Sequence, residues 1–250
     1  MSRTVILETL RRQWMSIPFI GFVVLTTLVG LVASQMRGIA PVWPSFISLL
    51  TLIIGCQSIG PEFSSGTLQL ILAKPINRST YLLSRVAGVL CAVWIAALLP
   101  FTAEMIGRVA SGNPRENITY LGWTGLNLLL APILTCALLV FFGSFTRSYF
   151  NIALYLGLQI GFEMLMASLA AVAAMAGLDS SGVLGTLGTF LVDHPGVIKA
   201  LQVVKANLYP DTPHGTFDRD WTLLVLCNAA VALFVACLLF RRREVPYGAD

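Results

Sequence analysis

The sequence predicts an all-α integral membrane protein, a single transmembrane domain over residues 1–250 with six membrane-spanning helices. Of the 250 residues, 56% are hydrophobic and only 11% are charged, whereas soluble domains carry about a quarter charged residues. The mean hydropathy is +0.81. A helix needs about 20 mostly apolar residues to cross a bilayer. Six runs meet this requirement: Ile17–Met36, Trp43–Gly60, Tyr81–Ala103, Trp123–Ser144, Phe150–Gly177 and Trp221–Phe240.

The basic residues predict how these spans are oriented. With the N-terminus inside, most of the 16 lysine and arginine residues fall in inner loops and tails, as is typical of cytoplasmic segments. We therefore expect both termini in the cytoplasm, which fits an even number of spans. The same placement explains the net charge of +4 by membrane orientation and argues against nucleic acid as a partner.

Residues 1–16, before the first span, are expected to form a separate amphipathic helix. Ile6, Leu10 and Trp14 recur every four residues and share one helical face. This pattern favours a helix lying in the inner membrane interface, and the alternative is a simple extension of the first span. The first span is too long for the apolar core of a signal peptide, and Glu8 lies where such a peptide is basic.

A polar segment, residues 61–80, separates the second span from the third. Glu62 would lie in the first turn of a short helix and Lys74 just past its last turn, where each charge complements the helix dipole. Apolar side chains occupy much of the same helix: Phe63, Leu68, Leu70, Ile71 and Leu72. This apolar face requires burial, either on the membrane or on a partner protein.

The third span carries charges at its outer end. Glu104 and Arg108 are four residues apart, a spacing that predicts an ion pair on the helix surface. Pro100 in this span and Pro132 in the fourth are expected to kink their helices.

The fifth span combines small and polar residues. Gly157 and Gly161 lie on one face, which permits close approach of another helix. Gln159 and Glu163 lie on a nearly opposite face, and an ionised group near the middle of a span is costly. One interpretation is that these residues, together with Asn127 of the fourth span, line a translocation path or a dimer seam. The other is a protonated Glu163 that is hydrogen-bonded to Gln159 or to a neighbouring helix.

The outer loop, residues 178–220, is too long to be a plain connector. Asp193-His194-Pro195 is typical of a helix start. The apolar stripe that follows predicts a helix on the outer membrane surface or against the outer ends of the spans: Val197, Ile198, Leu201, Val204 and Leu208. His194 and His214 lie near Asp193 and Asp211, but a histidine beside proline is more typical of a turn than of a metal site.

The sequence contains none of the usual motifs for catalysis or for a bound cofactor. It lacks the phosphate-binding pattern G-x-x-x-x-G-K-[ST] as well as H-E-x-x-H and G-x-S-x-G. The five cysteines lie in apolar runs, where they behave as small hydrophobic residues. We therefore predict no catalytic residue, no metal and no cofactor in this chain, so any ATP would be hydrolysed by a separate subunit.

Around the polar segment the sequence resembles the membrane subunit of type 2 ABC exporters. The matching pattern is Glu62…Gly66-Thr67-Leu68…Leu72…Pro75…Arg78…Tyr81-Leu82…Arg85. Six spans and an N-terminal elbow helix also match that family, so the resemblance covers nearly the whole chain. Arg85 stands where a lysine is common, and this departure preserves the positive charge.

The resemblance implies that residues 61–80 form a cytoplasmic coupling loop, which docks into a groove on an ATPase subunit. The coupling residues would be Glu62, Phe63, Gly66, Thr67, Leu68, Lys74 and Arg78. The implied complex is a homodimer of this permease with two ATPase subunits, which bind ATP and Mg. The implied location is the bacterial inner membrane.

The function implied by this resemblance is that of a permease subunit of an ATP-driven exporter, with the cargo undetermined. One alternative within the family is a membrane relay that transmits ATPase motion to a periplasmic protein, as in systems that mature copper enzymes. The long outer loop would offer such a protein a surface. An alternative of another class is an ATPase-independent channel or an intramembrane enzyme that uses Glu163.

Overall fold

The computed structural model describes residues 3–14, 17–35, 43–55, 77–110, 118–146, 150–175, 189–190, 192–210 and 216–242. Their main helices are α1 (Arg3–Trp14), α2 (Ile17–Ser34), α3 (Trp43–Gly55), α4 (Arg78–Ala110), α5 (Ile118–Gly143), α6 (Phe150–Met175), α7 (Pro195–Leu208) and α8 (Arg219–Arg242). No β-strand occurs within these ranges. The all-α prediction is therefore confirmed for the described residues.

Among the described residues, four helical segments are long and apolar enough to cross a membrane: Arg78–Ala110, Gly122–Gly143, Phe150–Val172 and Arg219–Arg242. They correspond to the third, fourth, fifth and sixth predicted spans. The first two predicted spans contain shorter apolar helices, Phe19–Ser34 and Phe46–Gly55. Residues 56–60, the end of the second predicted span, lie outside the described residues. Six spans therefore remain a prediction, of which four are supported by helix length and composition.

The chain divides into two compact units. One unit comprises Met1–Ile152 and Thr212–Asp250, and the other comprises Ala153–Asp211. The first unit contains α1 to α5 together with α8. The second contains most of α6 and all of α7.

In the first unit, α4 is the central helix, because α1, α2, α3, α5 and α8 all contact it. Its long apolar sequence continues as one helix through Pro100, and α5 likewise continues through Pro132. One core cluster of the described residues joins α2, α3, α4 and α5: Phe19, Val23, Ile47, Leu50, Ile54, Val89, Ala92, Val93, Ala96, Ala97, Leu128 and Cys136. A second cluster joins the start of α4 to the ends of α5 and α8: Tyr81, Leu82, Val86, Val140, Ala236 and Phe240.

The predicted helix before the first span is present as α1, which packs along the first turns of α4. A glycine makes this close approach possible, because a Cβ atom on Gly88 would lie 2.9 Å from the Cβ of Thr9. Thr9 is buried at this contact, whereas Leu7 is exposed. The interfacial location of α1 remains a prediction.

Candidate functional site

Most residues assigned to ATPase coupling lie outside the described part of the structure: Glu62, Phe63, Gly66, Thr67, Leu68 and Lys74. Their roles stay predictions. Arg78 is described, and it is the first residue of α4. Its Nη1 donates to the backbone carbonyl of Arg241 at 3.4 Å, in the last turn of α8. A cation at this position is favourable because the carbonyl end of a helix carries partial negative charge.

Arg85 connects α4 to α1. Its Nη1 donates to Thr9 Oγ1 at 2.7 Å, and its Nε donates to the Tyr81 hydroxyl at 3.1 Å. The guanidinium also lies 5.8 Å from the centroid of the Tyr81 ring. Arg85 is only 7% exposed, so these contacts provide hydrogen-bond acceptors for a charge that would be costly to bury alone.

The sequence identified Arg85 only as a departure from a family pattern and missed its contact with α1. One signal was available, since an arginine within an apolar run requires a polar partner. The sequence could not show that this partner is Thr9, which lies 76 residues away along the chain.

Glu104 and Arg108 form the predicted ion pair, but the prediction that it lies on the surface was wrong. Both the Nε and the Nη2 of Arg108 donate to Glu104 Oε1, at 3.0 and 2.8 Å. The side chains are 1% and 3% exposed. Packing of α2 against α4 explains the burial, because small residues allow close approach: a Cβ atom on Gly30 would lie 3.6 Å from Glu104 Cβ, and one on Gly107 would lie 2.8 Å from Ser34 Cβ.

In the second unit, Glu163 pairs with a residue of α7. Lys205 Nζ lies 2.6 Å from Glu163 Oε1, with side-chain exposures of 28% and 57%. Within the described residues, no hydrogen bond joins Glu163 to Gln159. The structural alternative named Gln159 or a neighbouring helix as the partner of Glu163, and among the described residues that partner is Lys205 of the neighbouring helix α7.

A second contact shows that α7 runs antiparallel to α6. The Tyr209 hydroxyl donates to the backbone carbonyl of Tyr155 at 3.1 Å, and the two rings meet edge to face with centroids 5.2 Å apart. Burial raises the pKa of the Tyr209 phenol, and the nearby Tyr155 raises it further, so the phenol stays neutral and can donate. The contact lies in the second turn of α6, so the end of α7 lies near the start of α6. The predicted position of α7 at the outer side of the membrane stays a prediction.

Gly157 and Gly161 contact no other described element. A Cβ atom added at either glycine would meet no atom within 4 Å, apart from the helix's own backbone and the adjacent residues. Among the described residues, nothing therefore covers this face of α6. Its predicted role as a dimer seam stays a prediction.

Asn127 is fully buried in the first unit, whereas Gln159 and Glu163 belong to the second. The Nδ2 of Asn127 donates to the backbone carbonyl of Thr216 at 2.9 Å, just before α8 begins. This bond gives Asn127 a structural role in attaching the start of α8 to α5. Its role in a translocation path stays a prediction.

An apolar cavity of about 340 Å³ lies between α3, α4 and α5. Phe101, Leu98 and Leu129 are among the residues that line it. Trp94, also in the lining, donates its indole N–H to the carbonyl of Leu129 at 3.0 Å and so joins α4 to α5. The volume falls within the usual range for small-molecule pockets, and the lining would favour an apolar ligand. The sequence carried no signal for it, because its residues come from three helices.

Among the described residues, no group of three or more histidine, cysteine, aspartate and glutamate side chains could hold a metal ion. His194 stacks on Phe190 with ring centroids 4.5 Å apart, and its Nδ1 lies 3.1 Å from the Phe190 carbonyl. These contacts fit the predicted role of His194 in a turn. His214 lies outside the described residues.

A family model described as an ABC-2 family transporter protein matches residues 34–245, from the end of α2 to beyond α8. No curated protein matches the chain.

Proposed function

Because the chain belongs to the ABC-2 family of transporter proteins and is a membrane permease subunit of an ABC transporter, we propose that it acts as an exporter. A separate ATPase subunit, to which the coupling loop at residues 61–80 docks, would drive it. ABC-2 permeases work with ABC ATPases in general. The proposal assigns coupling to Glu62, Phe63, Gly66, Thr67, Leu68, Lys74 and Arg78, with ATP and Mg bound by the ATPase.

The observation that supports this proposal most is the position of α4. This helix begins at Arg78, within the proposed coupling loop, and continues without interruption to Ala110. It contacts five other helices of its unit. Two polar links reinforce these contacts: Arg78 to the end of α8 and Arg85 to Thr9 of α1. The buried Glu104–Arg108 pair lies within α4, where α2 packs closely against it. A displacement of the coupling loop would therefore move several helices together.

The proposed mechanism is alternating access in a homodimer of this chain with two ATPase subunits, in a bacterial inner membrane with both termini cytoplasmic. ATP would favour one arrangement of the spans, and only a difference in binding free energy between the two arrangements could shift the equilibrium. The open glycine face of α6, at Gly157 and Gly161, suits a seam with the second copy because small residues allow close helix approach. Asn127, Gln159 and Glu163 remain the proposed polar lining of the path.

The docking of the ATPase can be tested by exchanging residues of the loop. We expect Leu68→Asp and Glu62→Arg, separately or combined, to abolish co-purification of the ATPase from gently solubilised membranes. The first change removes part of the apolar face, and the second opposes the dipole of the predicted loop helix. Glu8→Arg is the matched control, because Glu8 is an exposed acid of α1 on the same predicted side. It should leave ATPase retention unchanged.

Retention of the ATPase at the wild-type level by the combined variant would refute the docking proposal. Cargo-stimulated ATP hydrolysis in vesicles of known orientation would then test the direction of transport. The relay alternative predicts instead that ATPase binding is kept but no compound crosses the membrane. The alternative in which Glu163 acts as a catalytic or channel acid predicts activity in vesicles without any ATPase.

A further inference from the structure

A basic cavity lies between the first turn of α4 and the last turn of α8. Its volume is about 410 Å³, and its lining consists of Asn77, Arg78, Ser79, Thr80 and Arg241. All five side chains are polar or charged, and all are at least partly exposed. The cavity therefore presents two guanidinium groups from separate helices, together with hydroxyl and amide donors, to whatever enters it.

The arrangement of the two arginines is fixed by the fold. Arg78 and Arg241 lie 163 residues apart in sequence, and the hydrogen bond from Arg78 Nη1 to the Arg241 carbonyl holds them beside one another. Tyr81 directly follows Thr80 of the cavity lining, and Phe240 directly precedes Arg241. Both Tyr81 and Phe240 belong to one buried apolar cluster. Burial of this cluster keeps the start of α4 against the end of α8. The cavity therefore borders the apolar core and depends on the same helix packing.

The position of the cavity indicates its ligand. Both α4 and α8 are candidate membrane spans, and the cavity lies where α4 begins and α8 ends. The ends of spans lie at the level of the lipid headgroups, and basic pockets between transmembrane helices on the cytoplasmic side bind anionic headgroups. Guanidinium groups are well matched to phosphate because their N–H donors fit its oxygens in pairs.

We propose that this cavity binds a phosphate group, and that the phosphodiester of an anionic phospholipid supplies it in the membrane. Arg78 and Arg241 provide the positive charge, while the hydroxyls of Ser79 and Thr80 donate hydrogen bonds to the phosphate oxygens. Occupation would join the start of α4 to the end of α8 through the ligand. The site would thus make the helix that follows the coupling loop sensitive to the lipid composition of the membrane.

The test uses the purified full-length chain in mixed micelles. The change in melting temperature is measured on titration with phosphatidylglycerol, with phosphatidylcholine and with inorganic phosphate. We expect saturable stabilisation by phosphatidylglycerol and none by phosphatidylcholine. In Arg78→Gln combined with Arg241→Gln, the affinity for phosphatidylglycerol should fall about 30-fold, from the typical contribution of two basic residues near an anionic surface.

The matched control is Arg3→Gln combined with Arg11→Gln, which removes the same charge from exposed positions of α1. It should change the affinity by less than threefold. The proposed site would be refuted if the two double variants lost the same affinity for phosphatidylglycerol. It would also be refuted if phosphatidylglycerol and phosphatidylcholine bound equally well. Stabilisation by inorganic phosphate that depends on Arg241, without any response to phosphatidylglycerol, would overturn the lipid source.

A single variant separates this site from ATPase coupling. Arg241 is exposed and lies outside the proposed coupling loop, so a protein that carries Arg241→Gln should fold normally. We expect it to weaken phosphatidylglycerol binding while the ATPase still co-purifies. Leu68→Asp should show the reverse behaviour, with lipid binding unchanged. An Arg241→Gln protein that binds phosphatidylglycerol as the wild type does would refute the inference even if Leu68→Asp behaves as expected.

Discussion

Replacing Glu104 by glutamine should destabilise this protein strongly, although the change keeps the shape of the side chain. Glutamine keeps a carbonyl oxygen that can accept from the Nε and Nη2 of Arg108, but it carries no negative charge to neutralise the guanidinium. Arg108 is 3% exposed and Glu104 is 1% exposed, so water cannot take over the role of the carboxylate. Breaking a buried ion pair by removing one partner costs about 3–5 kcal/mol.

A second ion pair within the described residues provides the internal comparison. The Glu163–Lys205 pair is shorter, at 2.6 Å, but its side chains are 57% and 28% exposed. Exposed pairs contribute about 0–1 kcal/mol because water screens the charges and solvates whichever partner remains. Glu163→Gln should therefore cost much less than Glu104→Gln, even though a ranking by distance alone would give the opposite order.

The assay is thermal unfolding of the purified chain in detergent micelles. For a domain of this size, each kcal/mol shifts the melting temperature by about 2–4 °C. Glu104→Gln should then lower it by about 6–20 °C, and Glu163→Gln by less than about 4 °C. A double variant, Glu104→Leu with Arg108→Met, should recover most of the loss because it removes both buried charges.

The reasoning would be refuted if Glu104→Gln lowered the melting temperature no more than Glu163→Gln does. That result would mean that the Glu104–Arg108 pair is solvated. Failure of the double variant to recover stability, with a large loss in the single variant, would instead show that the pair makes further contacts whose loss matters more than the buried charge.

Two further predictions concern helix contacts. Gly88→Leu should lower the free energy of unfolding by about 1–3 kcal/mol, because even its Cβ would lie 2.9 Å from Thr9 Cβ. Gly21→Leu is the control, since it has open space around it and should be nearly neutral. Equal effects of the two variants on thermal unfolding would contradict the close approach of α1 to α4. The pKa of Tyr209 is raised in the folded state. Its contribution to the free energy of unfolding is therefore fully present below the ordinary tyrosine pKa of 10.0, and it is lost as the pH rises through the pKa of the folded state. In Tyr209→Phe this loss of stability at high pH should be absent, and in the wild type the phenolate absorbance of Tyr209 should appear only above the usual tyrosine pKa. Identical profiles of stability against pH for the two proteins would exclude the bond to Tyr155.

Local sequence was sufficient to predict the helices and the class of protein. Long apolar runs form α4, α5, α6 and α8 because a chain in a bilayer must satisfy its backbone hydrogen bonds internally. The amphipathic stripes before the first span and after Pro195 likewise predicted helices that are present as α1 and α7. The pattern around the polar segment identified the family that the comparison then matched.

The tertiary structure decided which polar residues meet and which are buried. Helical periodicity placed Glu104 next to Arg108, but their burial depends on how closely α2 packs, which no pattern within α4 records. The partners of Glu163 and Arg85 come from other helices, as does the basic cavity formed by Arg78 and Arg241. Spacing along a chain describes neighbours on the same helix, whereas the energy of a charge depends on all the elements packed around it. For that reason the sequence by itself predicted the family and the four long apolar helices, and only the fold decided where the charges are paired.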